Sequence, residues 1–172
     1  MASAGVRVTM APPAWLPPLV LFADHDGNWN VYVEVLYGYY HQDFVNSRPV
    51  FDGQNVGTKR HPIESGKEAT FWHLISEGKA EQDRLPDLRR CERIRWTRPT
   101  IEHSKDADIK VWQNQRRGET RVCVWCEEAE YLVVLAKRSG YYLLWTAYPV
   151  VEEHRKRKLR NEYETYKRLA PP

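Results

Sequence analysis

Cysteine is scarce, with three residues at positions 91, 123 and 126, which excludes a disulfide-stapled secreted scaffold. Cys123 and Cys126 have the CxxC spacing, but no second CxxC or close His pair completes a four-ligand zinc set. They also fall in a run of strand character, Thr120 to Glu127, where residues three apart point to opposite faces. A structural pair in a reducing cytoplasm is expected, with no metal and no cofactor. Long apolar runs are missing as well. The longest near the start, Trp15 to Phe22, is interrupted by Pro17 and Pro18 and is far shorter than the ~20 residues that a bilayer demands. Lacking a basic leader and a small-residue cleavage site, it is not a signal peptide. No internal repeat is present.

What is abundant is aromatic and charged. Seven Trp and ten Tyr with 42% hydrophobic residues argue for a folded core, while 28% charged residues and a mean hydropathy of -0.68 argue for a solvated surface. A chain of 172 residues supports one domain. Residues 1–18 read as a flexible Pro-rich arm and residues 19–172 as a single globular unit. The net charge of +3 is unevenly spread: residues 1–83 carry six Lys/Arg against ten Asp/Glu, and residues 84–172 carry twenty against thirteen. A basic second half suits a polyanion, because each phosphate contact releases condensed counterions; an Arg-rich solvated surface is the competing explanation.

Apolar residues recur at three- and four-residue spacing from Trp29 to Val45, behind the capping residues Asp24 to Asn28, and predict a first helix. The Pro, Asp-Gly and Gly signals between Ser47 and Gly57 predict a short hairpin or loop. Ala69 to Glu77 reads as a second helix carrying His73, stopped by Gly78. A third starts at Leu85-Pro86-Asp87, with Leu88, Cys91 and Ile94 along one side, and Pro99 ends or kinks it. From Ile109 the period falls to two. The runs Ile109–Gln115, Thr120–Glu127, Tyr131–Lys137 and Tyr141–Tyr148 are joined by three- or four-residue connectors, which predicts an antiparallel meander. Val151 to Arg168 closes the chain as a helix. The expected class is α+β: N-terminal helices, a four-stranded antiparallel meander and a C-terminal helix.

The segments Lys59-Arg60-His61-Pro62, Phe71-Trp72-His73-Leu74-Ile75, Arg89 to Trp96, Glu119-Thr120-Arg121, Tyr131 to Leu135 and Trp145-Thr146-Ala147-Tyr148 occur in an order that resembles the nuclease superfamily of barnase, EndoU, the tRNA-cleaving colicins and RelE. The resemblance is to its phage- and plasmid-associated BECR-like branch and covers residues from about 29 to 168. It implies a metal-independent endoribonuclease, toxin-like, acting on tRNA, mRNA or rRNA in the cytoplasm. An antitoxin or immunity protein is its implied partner.

Such a reaction needs a base for the 2′-hydroxyl, an acid for the leaving oxygen and cations for the charged phosphorane. His73 is the first candidate, since an imidazole titrates near neutrality, and His61, beside Lys59 and Arg60, is the second. Against these stand a packed and a solvated histidine. Arg89 and Arg93, four apart on a helix, are expected to face a phosphate together, with Arg95 reaching out of the core or toward the sheet. Thr146 and Tyr148 are placed on one face of the last strand with Tyr142 and Leu144, opposite Trp145 and Ala147, to bind a phosphoryl oxygen and to stack a base or donate a proton. Lys59 and Arg60 are expected to bind RNA phosphate too, and Arg121, Lys137 and Arg138 are expected where an RNA backbone would pass, although charge at strand ends also protects sheet edges. A non-catalytic RNA-binding or protein-interaction module is the alternative function.

Overall fold

The computed structural model describes residues 11–171. Asn28 caps the first helix, α1 (Trp29–Tyr40), by accepting from the Val31 amide at 3.2 Å. Its buried residues Tyr32, Val33, Leu36 and Tyr40 keep the expected spacing. The helix runs on as a wider-wound turn, His41–Val45, that buries Phe44. The hairpin signal becomes β1 (Val50–Phe51) and β2 (Gln54–Gly57). Asp52 and Gly53 between them have φ of 48° and 76°, the left-handed pair that a two-residue hairpin turn requires.

α2 spans Ala69–Ile75 and ends two residues before the expected Glu77, because Ser76–Glu77 leaves the helix as β3 and pairs antiparallel with β4 (Leu85–Pro86). Pro86 is therefore in a strand rather than in the first turn of a helix. Asp87 is the cap, accepting from the Arg89 amide at 2.8 Å, and α3 is only Leu88–Glu92. A 3-10 turn at Ile94–Trp96 leads into α4 (Thr97–Glu102). Pro99 lies in the first turn of α4, where its missing N–H has no intrahelical partner to lose. It ends nothing, contrary to expectation.

β5 (Ile109–Arg116), β6 (Glu119–Cys126), β7 (Tyr131–Lys137) and β8 (Tyr142–Pro149) pair antiparallel in sequence order. The molecule is thus α+β, but the sheet has six strands and is mixed, in the order β1-β2-β8-β7-β6-β5, with β2 parallel to β8. The hairpin was expected, but its joining to the sheet escaped prediction because β2 is four residues long and its partner is distant in sequence, so no local pattern marks the pairing. α5 (Glu153–Leu169) closes the chain.

Two cores follow from this layering. The larger lies between the helices and one sheet face and includes Leu36, Phe71, Ile94, Ile101, Val124, Val133 and Leu144. The smaller lies between the other face and α5: Trp112, Cys123, Trp125, Leu132 and Val150, with Leu159, Tyr163 and Tyr166 of α5 against them. Cys123 and Cys126 accordingly point into different cores. α5 buries no residue fully. Arg160 to Glu127, Lys156 to Glu130, and Trp112 Nε1 and Asn114 Nδ2 to Glu162, the last two at 3.3 Å, hold it to the sheet.

Residues 1–10 of the expected flexible arm lie outside the described residues. The rest of it is docked: Trp15 stacks on His103 at 4.2 Å, Leu16 is buried, and Trp96 Nε1 donates to Pro17 O at 2.8 Å. Among the described residues no helix is long and apolar enough to cross a membrane.

Candidate functional site

His73 sits in the last turn of α2, with its side chain 26% exposed. Its Nε2 is 3.1 Å from Glu81 Oε2. A carboxylate only accepts, so Nε2 carries the proton and the lone pair is left on Nδ1. Burial pushes the imidazole below its ordinary value, the Arg84 and Lys59 charges push the same way, and Glu81 opposes them. The ring is therefore neutral at pH 7.

The carbonyl end of α2 needs donors, and two arginines supply them. Arg84 Nη2 donates to His73 O at 3.2 Å and to Ser76 O at 2.5 Å. Arg90 Nη1, arriving from α3, is 3.3 Å from His73 O and 3.4 Å from Thr146 Oγ1 on β8. The Arg90 guanidinium also lies 5.0 Å over the Tyr148 ring. The backbone carbonyl of His73, the Thr146 hydroxyl and the Tyr148 ring are thus joined through one cation, while the His73 imidazole itself turns to Glu81. Burial holds the Tyr148 phenol above its usual value, so its hydroxyl stays protonated and able to donate.

The route by which Thr146 and Tyr148 reach this position differs from strict alternation. Val134 pairs with Thr146 while Leu135 pairs with Leu144, so Trp145 is an inserted bulge residue. The bulge reverses the phase of the strand. Tyr142, Leu144 and Ala147 enter the large core, whereas Tyr148 packs against the small one beneath α5. The expectation that Thr146 and Tyr148 share a face with Tyr142 and Leu144 is therefore corrected.

The expected Arg89–Arg93 clamp is not formed either. α3 ends at Glu92, and Arg93 folds back to donate to Arg89 O at 3.0 Å with its guanidinium 5.2 Å over Trp96. Arg89 is exposed beside Asp87. Arg95 turns to the helical layer and lies 4.5 Å over Tyr39, not toward the sheet.

Lys59 and Arg60 anchor the start of α2, accepting from the Thr70 and Ala69 amides at 3.1 and 3.0 Å. Arg60 Nε is 3.4 Å from the buried Glu68 carboxylate. His61 is exposed ahead of a cis proline, and no contact among the described residues joins it to His73. Arg121 stacks on Trp145 with its guanidinium carbon 3.6 Å from the ring centroid and bonds Glu119 at 2.5 Å. Arg138 reaches the same Glu119 at 3.1 Å, while Lys137 is exposed.

Arg84, Arg90 and Glu81 were not singled out from sequence. Helical i,i+4 spacing favours Arg89 and Arg93, yet Arg90 precedes the buried Cys91 and is the one turned toward the sheet. Adjacency to a core position was the available signal. No family model, curated protein or solved structure matches the chain.

Proposed function

We propose that the chain is a metal-independent endoribonuclease of the toxin-like BECR type, with His73 as base and Arg90 as its central cation. The observation that carries this reading is Arg90 Nη1 lying within hydrogen-bond reach of both the His73 carbonyl and the Thr146 hydroxyl while its guanidinium covers Tyr148. Neutral His73 accepts the 2′-hydroxyl proton on Nδ1, with Glu81 holding the ring and stabilising the imidazolium that forms. The 2′-oxygen attacks phosphorus, the bond to the 5′-oxygen breaks, and a 2′,3′-cyclic phosphate and a 5′-hydroxyl result. Tyr148 donates the proton to the departing oxygen. Thr146 accepts from Arg90, so its own proton is free for a nonbridging oxygen, and Arg84 with Arg90 offsets the added charge.

Incubating purified protein with tRNA and ribosomes in EDTA, beside a His73→Ala variant, tests the reading. Fragments with cyclic-phosphate ends that disappear in the variant support it. Cleavage surviving the substitution rejects His73 as the base, and intact RNA in every lane rejects the nuclease reading and favours a binding module.

A further inference from the structure

A cleft of about 940 Å³ lies between the outer sheet face and α5, on the side of Thr146 and Tyr148 away from the helical core. Its cations are Arg121 on the sheet, Arg155 and Lys158 on α5, and Arg116 and Arg117 at the β5–β6 turn. Lys158 is exposed and has no ion-pair partner among the described residues. Arg121 is the informative member. Its side chain is 9% exposed, and although Nη2 bonds Glu119, Nε and Nη1 have no hydrogen-bond partner. Stacking on Trp145 uses the face of a guanidinium, whereas hydrogen bonds use its rim, where Nε and Nη1 stand idle on either side of the Nη2 that Glu119 holds. Asn114 Oδ1, in the same lining, is also buried without a partner. Unpaired buried polar atoms are costly, and here donors and an acceptor stand idle in one cleft.

We infer that this cleft is a nucleotide-binding site for a single nucleic-acid strand, in which Arg121 takes a phosphate by its edge and Trp145 stacks a base. The identification of the polymer as RNA rests on the proposed function; the site itself does not. Trp145 remains 39% exposed, so a base can lie on its ring from the solvent side while the ring shifts to uncover Nε and Nη1. Asn114 Oδ1 then accepts from a base amino group. Arg155 and Lys158 neutralise flanking phosphates from the opposite wall. A duplex is excluded by shape, since α5 stands over the sheet and a strand must pass between them. The volume is that of a small-ligand pocket, enough for a few stacked units and not for a double helix.

The test uses a short labelled single-stranded deoxyoligonucleotide, which lacks the 2′-hydroxyl and reports binding without cleavage. Its anisotropy is followed with the full chain, with Trp145→Ala and Trp145→Phe, and with a double variant carrying Arg155→Glu and Lys158→Glu. Loss of one stacked base weakens affinity about 5- to 100-fold in Trp145→Ala, less in Trp145→Phe. The charge reversals weaken it and flatten the salt dependence by roughly 0.7 in slope for each phosphate contact removed. The same sequence as a duplex competes poorly, and 5′-AMP alone competes only at far higher concentration. Absence of binding, binding indifferent to these variants, or equal affinity for the duplex overturns the inference. Failure of the ribonuclease reading looks different: the oligonucleotide still binds and responds to the variants, while RNA is never cut or is cut equally by His73→Ala.

Discussion

Arg90 on α3 reaches Thr146 on β8, with 3.4 Å between Nη1 and Oγ1, and the same nitrogen is 3.3 Å from the His73 carbonyl. A helix end and a strand are thereby tied by one planar group. Lysine cannot reproduce this, because an ammonium that met both acceptors would have no planar group left to lie over the Tyr148 ring. Arg90→Lys is expected to lower kcat/KM for RNA about 10- to 100-fold, in keeping with the loss of charge-assisted hydrogen bonds worth roughly 1.5–3 kcal/mol. Steady-state kinetics beside a thermal melt separate this from unfolding. Unchanged kcat/KM would remove Arg90 from the site.

His73 makes the pH dependence specific. Its folded-state value is lowered, chiefly by burial and then by Arg84, so cleavage should rise with pH on a limb whose midpoint lies below the ordinary histidine value of about 6.5. Stability follows the same sign. The unfolded chain binds the proton more readily, so the contribution of this residue is complete above about pH 6.5 and is lost as pH falls toward the folded value. His73→Ala should remove that limb, reduce the rate about 10²- to 10⁴-fold as loss of a general base does, and flatten the melting curve's pH response in this window. An unchanged profile would show that another group titrates.

Much of the architecture was legible because it is local: helical spacing in α1 and short strand-type runs between turn signals in β5–β8. The β5–β8 runs are seven or eight residues rich in branched and aromatic side chains and bounded by turn residues, and the Arg117–Gly118 turn, with φ of 50° and 77°, suits the tight connector between β5 and β6. What escaped was nonlocal or nonperiodic. The β2–β8 pairing joins segments far apart, and α3 is a single turn whose register cannot establish a face. The bulge at Trp145 has no signature in a run of aromatic and branched residues, yet it decides which way Thr146 and Tyr148 point. The candidate site was consequently half visible: His73, Thr146 and Tyr148 by residue type, but not Arg84, Arg90 or Glu81, which a fold alone brings to them.

α5 should be the first element to open. It buries no side chain fully, and ion pairs at Glu127 and Glu130 carry much of its attachment. Burial opposes ionisation of Glu127, but Lys110 and Arg160 outweigh it and hold the carboxyl below its usual range. The pairing is therefore intact above the unfolded carboxylate value and lost as pH falls through the lower folded one. Glu127→Gln, or salt raised from ~0.1 to ~1 M, should speed amide exchange within Glu153–Leu169 while leaving β6 and β7 protected. The stability cost should stay near ~1 kcal/mol, the scale of partly exposed pairs. Equal acceleration in β6 would mean that the helix and sheet open as one unit.

Tyr131 tests the opposite extreme, a polar contact sealed inside the large core. Its hydroxyl is 2.8 Å from Thr97 Oγ1, and both residues are almost wholly buried, Tyr131 at 2% and Thr97 at 0% exposed. The ring packs edge-on against Trp96, so Tyr131→Phe keeps the shape and removes only the hydroxyl. Thr97 is then left without its side-chain partner in a dry site, at a cost of about 1–3 kcal/mol, or a fall in Tm of roughly 2–4 °C per kcal/mol for a chain of this size. Adding Thr97→Val should recover part of the loss, because removing both polar partners spares the desolvation penalty of the one left behind. A double variant no more stable than Tyr131→Phe would show that the hydroxyl pair contributes through packing instead.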